Sequence, residues 1–303
     1  KRELDAIGRD RASGAAELAL RAVKALMTWL QRNPRQTEAE LIEVARMLVE
    51  AQPSMASLLR LANEIALSAD DGASRIAVRK SLSRFRSVIE TAPNRIARHF
   101  SEALRRRRPR ERWRLVTYSY SSTVLRAIRR ARRQVECVWC SECRPALEGR
   151  RAAQELAGTR LFVHFATDAA LNRHTCGADA LVIGADSVKK DWHSIVFGNK
   201  VGSAALADTA LFYECPVWIL ADTTKFLPST MCPLTGLKEK ERPTSEVWSR
   251  PPKNVCVYNF YFDSISYKPG MRVLTEKGWL NYNQLQHELA SIRVSPRLKE
   301  LMN

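Results

Sequence analysis

The sequence predicts an α/β protein in two parts, an N-terminal helical domain over residues 1–110 followed by a parallel-sheet domain over residues 111–303. Three observations carry this. Apolar residues recur at three- and four-residue spacing from Asp10 to about Leu104, the period of helices with one buried face. After Pro109 short apolar runs alternate with helical stretches, which implies parallel strands joined by right-handed crossovers and covered on both faces, a Rossmann-like arrangement. At 303 residues and 45% hydrophobic, the chain is long enough to bury the core of one large domain or two ordinary ones.

The helical elements follow in order. Ser13 opens an apolar pattern running through Met27. Thr37 and Glu40 have the spacing of a capping box, for a helix through Val49. Pro53 starts a third helix, and Asp70-Asp71-Gly72 ends it. A fourth pattern, Arg75 to Ile89, is expected to break at Pro93, with a fifth helix from Asn94 to Arg107.

Beyond Pro109, Arg114–Ser119 reads as a strand and Ser122–Arg133 as a helix. Val135–Cys140 is a second strand, followed by a helix from about Pro145 to Ala157. Leu161–Phe165, Ala180–Ile183 and Val217–Ala221 are further buried strands. Residues 230–253 form a long polar loop, after which Val255–Tyr258 is expected to return the chain to the sheet.

Composition narrows the setting. No apolar run approaches the roughly 20 residues that span a bilayer, and Lys1 opens no signal-like segment. Seven cysteines, odd in number and scattered through apolar strands, fit reduced thiols and a cytoplasmic protein. Cys137, Cys140 and Cys143 have metal-cluster spacing, but a strand turns residues three apart to opposite faces, so neither a metal nor another cofactor is expected. The formal charge of +17 is concentrated in Arg105–Arg112 and Arg126–Arg133. Weak, non-specific nucleic-acid contact through Arg105–Arg112, sensitive to salt, is the expectation there.

Three strand ends point to one crevice. Ala180–Ile183 closes at Gly184 and delivers Asp186 where open α/β sheets keep their ligands. A loop holding Gly198, Asn199, Lys200 and Gly202 then precedes a helix from Ser203, and free amides beside a cation at a helix start suit a phosphate. Thr117–Thr123 is a hydroxyl-rich turn before a helix. Arg144 lies between a strand and a proline, where a guanidinium can grip a phosphate with two hydrogen bonds.

In order and spacing, these segments resemble the family of the translation initiation factor 2B α, β and δ subunits and their relatives, ribose-1,5-bisphosphate isomerase and methylthioribose-1-phosphate isomerase. The T-Y-S-Y-S-S turn, S-E-C-R-P-x-L-E-G, Thr167-Asp-Ala-Ala, G-A-D-S-V, G-N-K-V-G-S, Ala221-Asp-Thr-Thr-Lys-Phe226, Asn259-Phe-Tyr-Phe-Asp263 and Leu274-Thr-Glu-Lys-Gly278 all take part, as do Ser13-Gly-Ala-Ala-Glu-Leu and Pro53-Ser-Met-Ala. The resemblance implies a homodimer with a ligand crevice between the two domains of each subunit. It places the isomerases' catalytic acid at Asp186 and their cysteine at Ser119. It also implies phosphate grip by Arg144, Asn199 and Lys200, and by the Gly14 loop, where Arg9 or Arg11 stands in for the arginine that the isomerases carry before the glycine.

A thiol near pKa 8.5 exchanges protons around neutral pH, and an aliphatic hydroxyl is a far weaker acid. Ser119 therefore favours a regulatory binding protein, holding a sugar phosphate or nucleoside phosphate without isomerase activity. An aldose–ketose isomerase acting on a 1-phosphorylated ribose is the other open reading.

Overall fold

The computed structural model describes residues 2–10, 14–52, 55–108, 111–191, 194–231 and 242–302. The helical part comprises α1 (Arg2–Arg9), α2 (Ala15–Arg32), α3 (Glu38–Ala51), α4 (Ala56–Asp70) and α5 (Arg75–Arg107). Thr37 caps α3 as its spacing requires: its hydroxyl accepts from the Glu40 amide at 3.2 Å, and the Glu40 carboxylate accepts from the Thr37 amide at 2.8 Å. Pro53 lies outside the described residues, and α4 begins just after it.

Pro93 does not break the helix. α5 runs unbroken for 33 residues with Pro93 inside it. Ile89, Ala92, Ile96 and Ala97 flank the proline and are buried, so packing on both sides outweighs the roughly 3 kcal/mol that an interior proline costs. Up to Ile89, α5 belongs to the core of α1–α4; from Ala92 to Leu104 it joins the core of the large sheet.

That sheet is built from β1 (Trp113–Tyr118), β2 (Val135–Ser141), β3 (Phe162–Ala166), β4 (Ala180–Gly184), β7 (Val217–Leu220), β10 (Met271–Thr275) and β11 (Gly278–Leu280), in the order β11-β10-β7-β4-β1-β2-β3. All neighbours are parallel except β10 with β11. Side chains alternate between two cores. Leu115, Val182, Leu220 and Leu274 face α5, α6 (Ser122–Arg130) and α7 (Glu148–Ala157); Val116, Ile183, Ile219 and Val273 face α9 (Ser203–Phe212) and α10 (Tyr282–Ala290). The short α8 (Asp168–Leu171) follows β3.

A second, smaller sheet was not expected from the sequence. Strands β5 (Ser187–Lys190), β6 (Ile195–Lys200), β8 (Phe226–Leu227) and β9 (Phe262–Ser266) form it in the order β8-β5-β6-β9. Asn199 and Lys200 are consequently strand residues paired with Asp263 and Phe262, not members of a loop. Val255–Tyr258 is irregular rather than a strand, and most of it faces outward: Val255 is 39% and Tyr258 72% exposed. The chain returns to the large sheet at β10 instead. It ends on the helical part, where α11 (Pro296–Met302) places Leu298 in the first core. The buried Asn63 secures this return, donating to the Arg293 carbonyl at 2.9 Å and accepting from the Ser295 amide at 3.0 Å.

Candidate functional site

Strand order reverses between β1 and β4: β2 and β3 lie to one side, β7 and β10 to the other. Such a switch point opens a crevice at the carboxyl ends of the strands. A cavity of about 670 Å³ lies there, lined by the starts of α2 and α6, by Ser119 and by Gly184–Asp186, and closed on the helical side by Arg86 and Glu90 of α5. Its size suits a mononucleotide or a pentose bisphosphate.

The walls follow from the sequence. Gly184 ends β4 where a side chain is excluded, since a Cβ there would stand 2.8 Å from the Ser121 hydroxyl. That hydroxyl caps α6, accepting from the Val124 amide at 3.4 Å. The Asp186 amide donates to the Gly198 carbonyl at 2.8 Å, fixing the carboxyl at the mouth of β4. Burial pushes the Asp186 carboxyl above its ordinary range, and Lys225 and then Lys200 pull it only partly back.

Ser119 adopts a left-handed backbone (φ 66°) directly after β1, and Cys143 does the same (φ 60°) after β2. The two meet, the Ser119 amide donating to Cys143 Sγ at 3.1 Å. Ser119 Oγ donates to Glu148 Oε1 at 3.2 Å, and the same carboxylate takes the buried Lys200 Nζ at 3.1 Å. Lys200 also lies under the Tyr261 ring, 4.5 Å from its centroid. Asp168 holds the 141–144 loop, accepting from Ser141 Oγ at 2.7 Å and from the amides of Cys143 and Arg144 at 2.8 and 2.7 Å. Gly149 lets α7 approach that loop; a Cβ there would fall 1.8 Å from the Ser141 carbonyl oxygen. Burial pushes the Cys143 thiol up to about 12, so it stays protonated at neutral pH.

Of the residues singled out in the sequence, Gly14, Ser119, Asp186 and Asn199 share this one cavity. Lys200 sits behind it, joined to Ser119 through Glu148. Arg144 is not in the lining: its guanidinium points outward, 3.4 Å from the Glu246 carbonyl and 3.5 Å from that of Val247. Arg11 lies outside the described residues. The start of α9 is not free to take an anion, because Asp263 already accepts from the Gly202 amide at 2.6 Å and the Ala204 amide at 3.3 Å. Among the described residues, the start of α2 also borders the cavity, at Gly14, which has no side chain to cap it.

Sequence reasoning passed over Glu148 and Lys225, although both stand inside segments it had marked. It also missed Arg21, Lys24 and Arg151, which come from two helices and had no local signal beyond exposure. Asn259 and Tyr261 have a supporting role, donating to the Glu246 carboxylate at 2.9 and 2.6 Å.

Known proteins resemble this chain in sequence and fold. The model of the initiation factor 2 subunit family matches residues 11–282. The eIF-2B subunit 2-like protein of Pyrococcus furiosus is 28% identical over 278 residues, covering 91% of this chain and 94% of its own. Ribose 1,5-bisphosphate isomerase of Thermococcus kodakarensis is 28% identical over 291 residues, covering 91% and 86%. The crystal structure of the Pyrococcus horikoshii translation initiation factor eIF-2B superposes with a TM-score of 0.73 at 27% identity, over 92% of this chain and 95% of the other. With the helical part, the mixed sheet and the switch-point cavity all in place, the chain belongs to the initiation factor 2 subunit family.

Proposed function

We propose that the cavity binds a phosphorylated pentose or nucleoside monophosphate, and that the protein is a regulatory member of its family without isomerase turnover. The observation that carries the binding is the convergence, in one cavity of about 670 Å³, of the start of α2, the start of α6 and the cations Arg21, Lys24, Arg86, Arg151 and Lys225. A phosphate placed there meets backbone amides and positive charge together. Asp186 is left for the sugar hydroxyls, and Ser119 Oγ, which donates to Glu148, can still accept from one.

The absence of turnover rests on Ser119. An isomerisation moves protons at adjacent carbons and needs two groups that exchange protons near neutral pH. Asp186, raised by burial, suits one role. The Ser119 hydroxyl is committed to Glu148, and the nearest thiol, Cys143, is buried and held protonated. The second reading, an aldose–ketose isomerase of a 1-phosphorylated ribose, draws on the 28% identity to ribose 1,5-bisphosphate isomerase and on Asp186.

Calorimetry with ribose 5-phosphate, ribose 1,5-bisphosphate and AMP, beside a turnover assay on the bisphosphate, tests both halves. Binding without turnover is the expected result. No heat with any of the three at millimolar concentration sinks the binding reading, and steady turnover moves the protein to the isomerase branch.

A homodimer is a further part of this reading. Phe162 and Phe165 on the edge strand β3 are 67% and 47% exposed, an apolar edge that pairing with a second copy would cover. Light scattering of the purified chain reads the dimer directly.

A further inference from the structure

At the opposite, amino-terminal rim of the large sheet lies a groove of about 1190 Å³ with a different character. It is bordered by Arg112 before β1, Gln134 before β2 and Gly158–Arg160 before β3, and its floor is the carboxyl end of α6 with the turn that follows. Among the described residues seven arginines line it, including Arg126, Arg129, Arg130, Arg132 and Arg133, with no carboxylate, aromatic or aliphatic residue in the lining. Among the described residues, none of the seven has an acidic group within 4.0 Å. Arg126 donates only to the Asn94 side chain and Arg112 only to the Val135 carbonyl.

α6 explains how so much charge is held in place. Val124, Leu125, Ala127 and Ile128 are buried in the sheet core, which fixes the helix and turns Arg126, Arg129 and Arg130 outward. By contrast, part of the Arg105–Arg112 run is already engaged. Arg107 stacks on Trp218, while Arg108 stacks on Trp113 and pairs with Asp179 at 2.6 Å.

We propose that this groove is a docking surface for the phosphate backbone of a nucleic-acid helix, gripped without reading of bases. The lining chooses the partner. An acidic protein segment would need a desolvated apolar centre to anchor it, and the groove has none. A flat lipid surface does not enter a recess. Single-stranded binders stack bases on aromatic rings, which are absent here. Guanidinium groups alone, on a concave surface, match phosphates regularly spaced along a duplex.

The test uses fluorescence anisotropy with the full chain and 20-base-pair RNA and DNA duplexes of two unrelated sequences each. Binding is expected at 50 mM salt, weakening about 10²- to 10³-fold by 200 mM if some five phosphates are neutralised. The triple variant Arg129→Glu, Arg130→Glu, Arg133→Glu should lose binding at 50 mM salt while keeping the parent's circular dichroism. The milder Arg129→Gln, Arg130→Gln, Arg133→Gln should lower the slope of log affinity against log salt by about three. Millimolar ribose 5-phosphate should displace nothing. The proposal is overturned by absence of binding at 50 mM salt, by equal binding of parent and variants, by a tenfold preference between sequences, by poly-glutamate competing as well as duplex, or by displacement with ribose 5-phosphate, which would put the duplex in the cavity instead.

Discussion

The two rims of the large sheet both carry cations, and they treat them in opposite ways. At the carboxyl rim positive charge is interleaved with acid: Arg21 pairs with Glu3 and Asp10, Arg86 with Glu90, Arg151 with Glu155, and Lys200 with Glu148. At the amino rim, among the described residues, the arginines of the groove stand without a carboxylate between them. Interleaving orients side chains and keeps the local field modest, as suits a small ligand that must be held by geometry. An unbalanced field attracts a large polyanion from a distance and is sensitive to salt.

The comparison breaks most sharply at Ser119. Ribose 1,5-bisphosphate turnover should be undetectable in the unmodified chain and should rise about 10²-fold or more over background in Ser119→Cys, a gain that Asp186→Asn in the same background removes. A Ser119→Cys protein as inactive as its parent, under conditions where it binds the bisphosphate, would show that the hydroxyl is not what disarms the carboxyl rim.

Next in size is the buried pair behind the cavity. Lys200→Met leaves Glu148 facing Ser119 without its cation and should lower unfolding free energy by about 1–3 kcal/mol, less than for a fully buried pair because Glu148 keeps some solvent. Urea denaturation measures this, and a loss below a few tenths of a kcal/mol would mean that the pair contributes only position. Removing any single groove arginine should leave the same midpoint unmoved.

A smaller effect depends on pH. Because the folded Asp186 carboxyl titrates above its unfolded value, the native state binds more protons between the two, and stability falls as pH rises through that window. Asp186→Asn should therefore stabilise the protein at pH 8 and make no difference well below pH 4, compared by thermal midpoints at both. The same advantage at both pH values would place the effect in packing rather than charge.

The smallest expected effect belongs to Arg144. Its guanidinium faces the Glu246 and Val247 carbonyls rather than the cavity, so Arg144→Ala should leave ribose 5-phosphate affinity within about twofold of the parent by calorimetry. A tenfold loss would show that the side chain swings inward when ligand arrives.

These cases also show what a sequence can and cannot say. The period change after Pro109, the Thr37–Glu40 box and the strand ends at Ser119 and Asp186 were legible, because each depends on a few neighbouring residues. The unbroken α5 was not, since the packing that tolerates Pro93 comes from two cores assembled by distant segments. Nor was the second sheet: β8 has two residues and β5 four, too short for a period to register. Arg144 failed for a third reason. Its position between a strand and a proline was legible, but the direction of its side chain depends on Glu246 and Val247, about a hundred residues away. Asp263 illustrates the same limit, since only the β6–β9 pairing brings it to the start of α9.

α5 has a mechanical consequence. At 33 residues and about 1.5 Å per residue it is a rod of roughly 50 Å, one half set in each core, with Arg86 and Glu90 on the cavity wall. A hinge between the two halves of the protein would have to pass through this rod. Its weakest rung is at Pro93, which offers no amide to the Ile89 carbonyl. Opening of the cavity is thus a flexing of a continuous beam, small in amplitude and elastically opposed. A ligand of the proposed kind would then meet a cleft whose two walls are tied by one continuous helix.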